Sequence, residues 1–331
     1  MFFNKQLDIL SIGDTTVDSF IRLKDANTHC NIKNDQCELC VRFGAKIPYE
    51  SLTNIPASGN SANVAIGASR LGLRTGLISA VGNDYYGKEC LKALRRNKIS
   101  TNFVEIQKNT ETNCNFVLWY GVERTILVKH HNFSYKWPKM NQPKWIYLSS
   151  LGETPISYYE EIFSYLRKNP EVKLAFQPGT FQIKLGYEKL KEIYRRTDVL
   201  ICNKSEAQKI LRNHGDYMAK ILQDLKNLGP KIVVVTDDIK GAYATDGERN
   251  IFMPIYPGEP FERTGAGDAF SSAFISALIY GKSLEEALRW GPVNSASVIK
   301  YVGAQKGLLT RKQIEERLKQ APHNYNPRII K

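Results

Sequence analysis

Short apolar runs alternate with amphipathic stretches along most of the chain. "LDILSIG", "RTGLISAVG", "KWIYLSS", "VKLAFQP", "DVLICN" and "KIVVVTDD" are bounded by glycine or small polar residues. Such runs read as strands buried on both faces. Between them, "NSANVAIGASRLG", "DYYGKECLKALRRNK", "SYYEEIFSYLRKN", "GYEKLKEIYRRT", "SEAQKILRNHG" and "YMAKILQDLKNLG" repeat apolar residues at helical spacing. Gly72 closes the first of these helices. Strands alternating with helices predict an α/β fold, a mainly parallel sheet with helices on both faces. The last third adds the helices "GDAFSSAFISALIYG", "LEEALRWGPVNSASVIKYVG" and "RKQIEERLKQ".

Two segments break the alternation. Residues 19–57 are polar, carry cysteines and have few helix signals, whereas "TNCNFVLWYGVERTILVKHH" (112–131) reads as a β-hairpin around "GVER". No internal repeat is visible. The chain therefore reads as one α/β domain over residues 1–331, with a small β lid supplied by 19–57 and 108–134. A lid suits transfer chemistry because it excludes water.

Composition adds only a little. With 42% hydrophobic and 24% charged residues in 331, the chain is an ordinary globular one with enough apolar mass for a large core. No apolar run approaches the roughly 18 residues of a membrane span. The start "MFFNKQLDILSIGD" lacks the pattern of a secretory signal, so a cytoplasmic protein without a membrane partner is expected. The net charge of +13 is partly concentrated between Arg124 and Gly152, where lysines alternate with aromatics and no acid occurs. That pattern can serve single-stranded nucleic acid. No nucleic-acid motif accompanies it, so the expectation is a basic protein that attracts anionic metabolites.

"HCNIKNDQCELC" places His29, Cys30, Cys37 and Cys40 close together as four candidate zinc ligands. Adjacent His29 and Cys30 rarely both reach one metal, so reduced, packed or surface thiols are the favoured reading.

"ERTGAGDAFSSAFISALIYG" carries the most chemistry. Its apolar residues recur at helical spacing up to Gly281, which puts Asp268 in the first turn of a buried helix. The backbone N–H groups of Gly265, Ala266 and Gly267 can then point at an anion, aided by the positive end of the helix dipole. The plainer alternative is that Asp268 only stabilises the helix start.

"TGAGDAF" resembles the C-terminal signature of the ribokinase-like (PfkB) family of carbohydrate and nucleoside kinases. "SGNSANVAIGASRLG" resembles that family's glycine-rich N-terminal motif, and "VGNDYYGKECLKALRRNKIST" its following block. "NKSE" matches its N-x-x-E motif, and "VVVTDDIKGA" stands where its "VT-x-G-xx-G" strand and turn fall. The order along the chain is the family's, up to about residue 310.

The resemblance implies a three-layer α/β/α sandwich and an ATP-dependent kinase using Mg²⁺. Asp268 would be the general base, and Gly265, Ala266 and Gly267 the anion hole. Asp14, Asp18, Gly59, Asn60 and Asn63 would hold the acceptor. Asn203, Thr236, Gly241, Arg263 and Asn294 would serve the nucleotide, with Asn203 and Glu206 near the metal. Glu206 could instead be a capping-box partner, and Asn63 a helix cap.

Three positions depart from the family pattern. Ser58 replaces a glycine, Asp238 replaces the glycine of "VT-x-G", and Glu262 stands where an Asp is common. The last position helps to form a K⁺ site in some members, so K⁺ is an optional cofactor here. The acceptor is expected to be a sugar, with a nucleoside as the alternative and a non-catalytic ligand-binding protein as the third reading. Lys46, Asn113, Asn115, Arg124, His130 and His131 are candidate specificity residues, and Phe116, Trp119 and Tyr120 could stack on a base. The His pair is read mainly as surface or structural. Many family members pair through their lids, which implies a homodimer.

Overall fold

A computed structural model of the chain describes residues 6–31, 36–121 and 123–330. Most of the N-terminal "MFFNKQ" and Val122 of "GVER" lie outside the described residues.

The elements run β1 (Ile9–Ile12), β2 (Thr16–Leu23), β3 (Asn27–Asn31), β4 (Gln36–Cys40), β5 (Tyr49–Ser58), α1 (Asn60–Arg70), β6 (Thr75–Gly82), α2 (Tyr85–Arg96), β7 (Val104–Gln107), β8 (Asn113–Tyr120) and β9 (Glu123–Lys129). There follow β10 (Trp145–Leu148), α3 (Ile156–Lys168), β11 (Lys173–Phe176), α4 (Thr180–Leu185), α5 (Tyr187–Arg196), β12 (Val199–Asn203), α6 (Lys204–Leu211), α7 (Met218–Asn227) and β13 (Ile232–Thr236). The chain ends with β14 (Ala242–Thr245), β15 (Asn250–Met253), α8 (Ala266–Ile279), α9 (Leu284–Val298), α10 (Arg311–Lys319) and β16 (Arg328–Ile330).

The large sheet has ten strands in the order β16-β15-β14-β13-β12-β11-β10-β1-β6-β7. Pairing is parallel from β13 to β7 and antiparallel from β13 to β16. Successive residues of its central strands enter opposite cores, as the pleat requires. Ile9, Tyr147, Ala175 and Val234 pack on the α8–α9 side, and Leu10, Ile146, Leu174 and Val235 on the other.

All six sequence-read strands of the parallel half are present. The antiparallel edge β14–β16 and strand β7 were not foreseen, because they are short and weakly apolar. The helix read in 205–215 starts one residue earlier and ends at Leu211, where Arg212 takes a left-handed φ of 52°.

Residues 16–58 and 113–129 build a second sheet, ordered β5-β2-β8-β9, and β3 pairs with β4 in a separate hairpin. There Cys30 lies directly opposite Cys37, with Cα atoms 4.0 Å apart, and the two are joined in a disulfide. This corrects both cysteine readings. His29 faces Glu38 and Cys40 faces Asn27 in the ladder, so no zinc set converges there. Among the described residues, no group of three or more His, Cys, Asp or Glu is arranged to hold a metal ion.

The basic aromatic stretch is also packed, not displayed. Phe133 is buried, Trp137 lies against Tyr165 with ring centroids 4.5 Å apart, and Lys144 pairs with Asp8 at 2.8 Å. Such rings offer no platform for stacking bases, which removes the support for a nucleic-acid partner. No helix among the described residues is long and apolar enough to cross a membrane.

Candidate active site

The strands of the parallel half deliver their following residues to one rim. Asp14 follows β1, Gln177 follows β11, Asn203 ends β12 and Thr236 ends β13. Ligands of open α/β sheets bind at this carboxyl rim. A cavity of about 230 Å³ opens there, lined by Asn60, Arg124, Asn203, Glu206, Thr236, Arg263, Gln177, Ser271 and the run Gly265–Asp268.

The run is shaped by its glycines. Gly265 is the N-cap of α8 with φ of 81°, and a Cβ there would lie 2.2 Å from the Cβ of Ala304. Gly267 has open space where its Cβ would be, so a ligand can come close to the backbone. The N-terminus of the helix thus lies at the cavity, with Ala266 N donating to the Arg263 carbonyl at 3.5 Å.

Asp268 does not cap the helix. It is buried, and its two oxygens accept hydrogen bonds from Asn60 Nδ2 (3.1 Å) and Asn63 Nδ2 (2.8 Å), both on α1. Asp268 thus stands in the first turn of α8 without a side-chain cap bond, and Asn63 does not cap α1. Burial pushes the Asp268 carboxyl up to about 6. The two asparagines hold it down, whereas the charges of Asp18 and Glu206 add to the rise.

Asp18 lies on β2. Its Oδ1 accepts from Asn115 Nδ2 (2.9 Å) and Thr16 Oγ1 (3.1 Å). Burial raises its pKa above the usual carboxylate range, and these bonds oppose the rise. Gly59, with φ of 101°, lies over Asp14: a Cβ would stand 2.6 Å from the Asp14 carbonyl. Asp14 Oδ1 accepts a hydrogen bond from Tyr135 OH at 2.5 Å, and its Oδ2 lies 3.5 Å from His130 Nδ1.

Asn203 and Glu206 form the reciprocal capping box of α6: Asn203 Oδ1 accepts from Glu206 N at 2.8 Å, and Glu206 Oε2 from Asn203 N at 2.9 Å. Both still line the cavity. Burial raises the Glu206 carboxyl against the pull of that backbone bond. The sequence-level alternative for Glu206 is therefore realised, without removing it from the site.

Two residues expected on the nucleotide side lie outside this cavity. Asn294 is fully buried in the core. Its Nδ2 donates to the Ala269 carbonyl and Ser272 Oγ, and its Oδ1 accepts from Leu309 N. It ties α9 to α8 and does not reach the cavity. Gly241 does not line the cavity either. With φ of 98° it lets the turn pass β15, where a Cβ would come within 2.4 Å of the Met253 carbonyl.

Two of the three departures from the family pattern, Asp238 and Glu262, have local explanations. Asp238 takes a φ of 46°, the conformation its glycine counterpart would favour, and its carboxylate points out to Arg263 Nη1 at 3.1 Å. Arg263 also faces Glu123 of the second sheet at 3.4 Å. Glu262 is buried, and its oxygens accept from Thr264 N and Oγ1 and from Gly303 N. It braces the loop that leads into Gly265.

Sequence reasoning missed four contributors. Gln177 and Ser271 line the cavity, with Ser271 Oγ and Tyr147 OH both donating to Gln177 Oε1. Tyr135 and Gly152 flank Asp14. None belongs to a recognisable spacing; only a three-dimensional arrangement reveals them. Trp119, considered as a stacking surface, is buried edge-on against Phe261 and beneath Arg22.

This rim sets a helix N-terminus beside a buried carboxylate at the carboxyl ends of a parallel sheet. The sequence profile of the pfkB family of carbohydrate kinases matches residues 26–311, and the chain belongs to that family. It is 27% identical to the ribokinase of Bacillus subtilis over 283 residues, 84% of this chain and 92% of that protein. It is 26% identical to the ATP-dependent 6-phosphofructokinase of Thermoanaerobacterium thermosaccharolyticum, covering 92% of this chain and 91% of the other. The fold is similar to that of Arabidopsis thaliana ribokinase complexed with ribose and ATP (TM-score 0.76, 21% identity, 95% and 99% covered). As a family member, the chain is an ATP-dependent kinase that acts on a hydroxyl group.

Proposed function

We propose that the chain transfers the γ-phosphoryl group of ATP to a hydroxyl of a sugar, with Asp268 as general base and Gly265, Ala266 and Gly267 as the anion hole. The observation that carries this reading is the placement of Asp268. It is buried at the N-terminus of α8, makes no side-chain cap bond, and is held by two asparagines.

Asp268 takes the proton of the acceptor hydroxyl as that oxygen attacks phosphorus. The new O–P bond forms while the bond to the leaving ADP oxygen breaks. The N–H groups of 265–267 stabilise charge on the phosphoryl oxygens in transit, and Arg263 and Arg124, which line the same cavity, add positive charge. The four-stranded sheet acts as a lid that keeps water from competing for phosphorus. Asn203, Thr236 and Arg263 stand on the nucleotide side, and Asp14, Asp18 and Asn60 on the acceptor side.

The residues fit Mg²⁺ carried in by the nucleotide. Asn203 Oδ1 and Glu206 Oε2 are already engaged in the capping box, so these residues would hold the ion through water, and phosphate oxygens would supply the direct ligands. The ion would neutralise phosphate charge. Asp268 beside the acceptor hydroxyl is what separates this reading from a non-catalytic binding protein.

The test is ATP turnover with Mg²⁺ against pentoses, hexoses, sugar acids, sugar phosphates and nucleosides. Turnover with one acceptor, lost in Asp268→Asn, is expected. Turnover kept in that variant would remove the assigned base.

A further inference from the structure

A second cavity, of about 280 Å³, opens between α9 and α10. Lys282, which lines it, follows the C-terminus of α8, whereas the active-site cavity lies at the N-terminus of the same helix. The 14 residues of α8 span about 20 Å, so the two cavities are separate. Arg289 and Trp290 of α9 form one wall, and Glu315, Leu318 and Lys319 of α10 the other.

Arg289 sets the chemistry. Its Nε is buried without a hydrogen-bond partner, and no carboxylate among the described residues forms an ion pair with its guanidinium. Water satisfies an exposed guanidinium, whereas a buried Nε needs a partner brought to it. Among the described residues one other arginine Nε is buried in this way, that of Arg124 in the active-site cavity, where the proposed reaction brings a phosphate.

The carboxylates around the second cavity are offset by other groups. Glu286 faces the charge of Arg289, but its Oε1 accepts from Lys282 Nζ at 3.0 Å and its Oε2 from Ser283 N at 3.1 Å. Glu315 Oε1 accepts from Arg311 Nε at 2.8 Å. Glu285 is paired with Arg249 at 2.7 Å, and Glu316 faces Lys312 at 3.9 Å. Asp8, whose charge reaches Tyr280, is held by Arg74 and Lys144. The charges of Arg289 and of exposed Lys319 are left over. A guanidinium takes a phosphate through two parallel N–H groups, and a lysine adds a point charge.

The remaining walls suit a carbon skeleton with hydroxyls. Trp290 and Leu318 are apolar, and Tyr280 packs on Trp290 with centroids 6.3 Å apart. Arg311 lies 4.4 Å over the Tyr280 ring, which fixes the partner of Glu315 and leaves Glu315 Oε2 to accept from a ligand. The volume is close to the lower end of the roughly 300–1,000 Å³ of small-molecule sites, too small for a dinucleotide.

We propose that the cavity between α9 and α10 is a second binding site, for a small hydroxylated phosphate monoester. The phosphate lies on Arg289 and Lys319, a hydroxyl on Glu315, and the carbon skeleton against Trp290 and Leu318. A sugar phosphate and a nucleoside monophosphate share this chemistry.

The test is titration calorimetry on the full chain, saturated with a non-hydrolysable ATP analogue and Mg²⁺. The probes are ribose 5-phosphate, adenosine monophosphate, inorganic phosphate and ribose. One equivalent of an ester should bind, at an affinity that falls at least tenfold in Arg289→Gln and in Lys319→Glu. Both variants lie outside the active site and should keep the wild-type melting temperature and affinity for the ATP analogue. Any ribose binding should be the same in both variants and the wild type. Tighter ribose 5-phosphate identifies a sugar phosphate as the source, and tighter adenosine monophosphate a nucleotide. Absence of ester binding, or an ester affinity unchanged in either variant, overturns the site, because surviving binding belongs to the active-site cavity. Inorganic phosphate binding as tightly as both esters overturns the assignment of an ester. Asp268→Asn should leave this binding as it is, so failure of the kinase reading and failure of this site are told apart.

Discussion

In the proposed site the phosphoryl end would be contiguous backbone: Gly265, Ala266 and Gly267 open α8, and Asp268 follows at once. The acceptor end would be side chains from distant segments: Asp14 after β1, Asp18 on β2 and Asn60 on α1. The first arrangement uses N–H groups that any residue supplies, and would serve a phosphate common to every reaction of this kind. The second uses particular side chains and would serve the group that differs between acceptors. On this account chemistry follows from a local motif, and specificity from the long-range fold.

Variants can be ranked by which end they break. Asp268→Asn should lower kcat by about 10²–10⁴, the range of a general base, with little change in acceptor affinity. Gly265→Ala should lose activity and also stability, because a Cβ meets Ala304 at 2.2 Å and φ is 81°. A cost of about 2–4 kcal/mol is expected, read from denaturant unfolding. A normal midpoint in that variant would refute the close approach.

The pH dependence sharpens the contrast. The Asp268 carboxyl, raised to about 6, must be ionised to act as a base. We predict that kcat/KM falls about tenfold per unit below pH 6. Asn63→Ala removes a bond that holds this carboxyl down and should move the acid limb upward. An acid limb that stays in place would detach the limb from Asp268.

Stability should show the opposite sign. A carboxyl raised from 3.8 to about 6 binds its proton more tightly in the folded protein, so its ionisation costs stability as pH rises through that window. Asp268→Asn should therefore be more stable than the wild type at pH 7.5, by about 1–2 kcal/mol after one lost hydrogen bond. The gain should vanish near pH 4. Smallest of all, replacing K⁺ with a bulky organic cation should change turnover by less than about twofold, because Glu262 is already held by protein donors.

This division explains what could be read from the chain. The parallel half of the sheet was legible because each strand is a continuous apolar run between helices of clear period. Asp268 and its glycines were legible because they are adjacent in sequence. The three partners of Asn294, namely Ala269, Ser272 and Leu309, are invisible to local spacing. The disulfide depends on a strand register that places Cys30 opposite Cys37, and the polar ladder gave no pattern to set it. His130, read as surface or structural, faces Asp14, a neighbour far away in sequence. The antiparallel edge was missed since β14 and β15 are four residues each, too short to show a period.

The most direct test is steady-state ATP turnover with Mg²⁺ and the tightest-binding acceptor, wild type beside Asp268→Asn. The account predicts acceptor-dependent ADP release that the variant loses by at least about a hundredfold while acceptor affinity is retained. Equal turnover in the two proteins would contradict it.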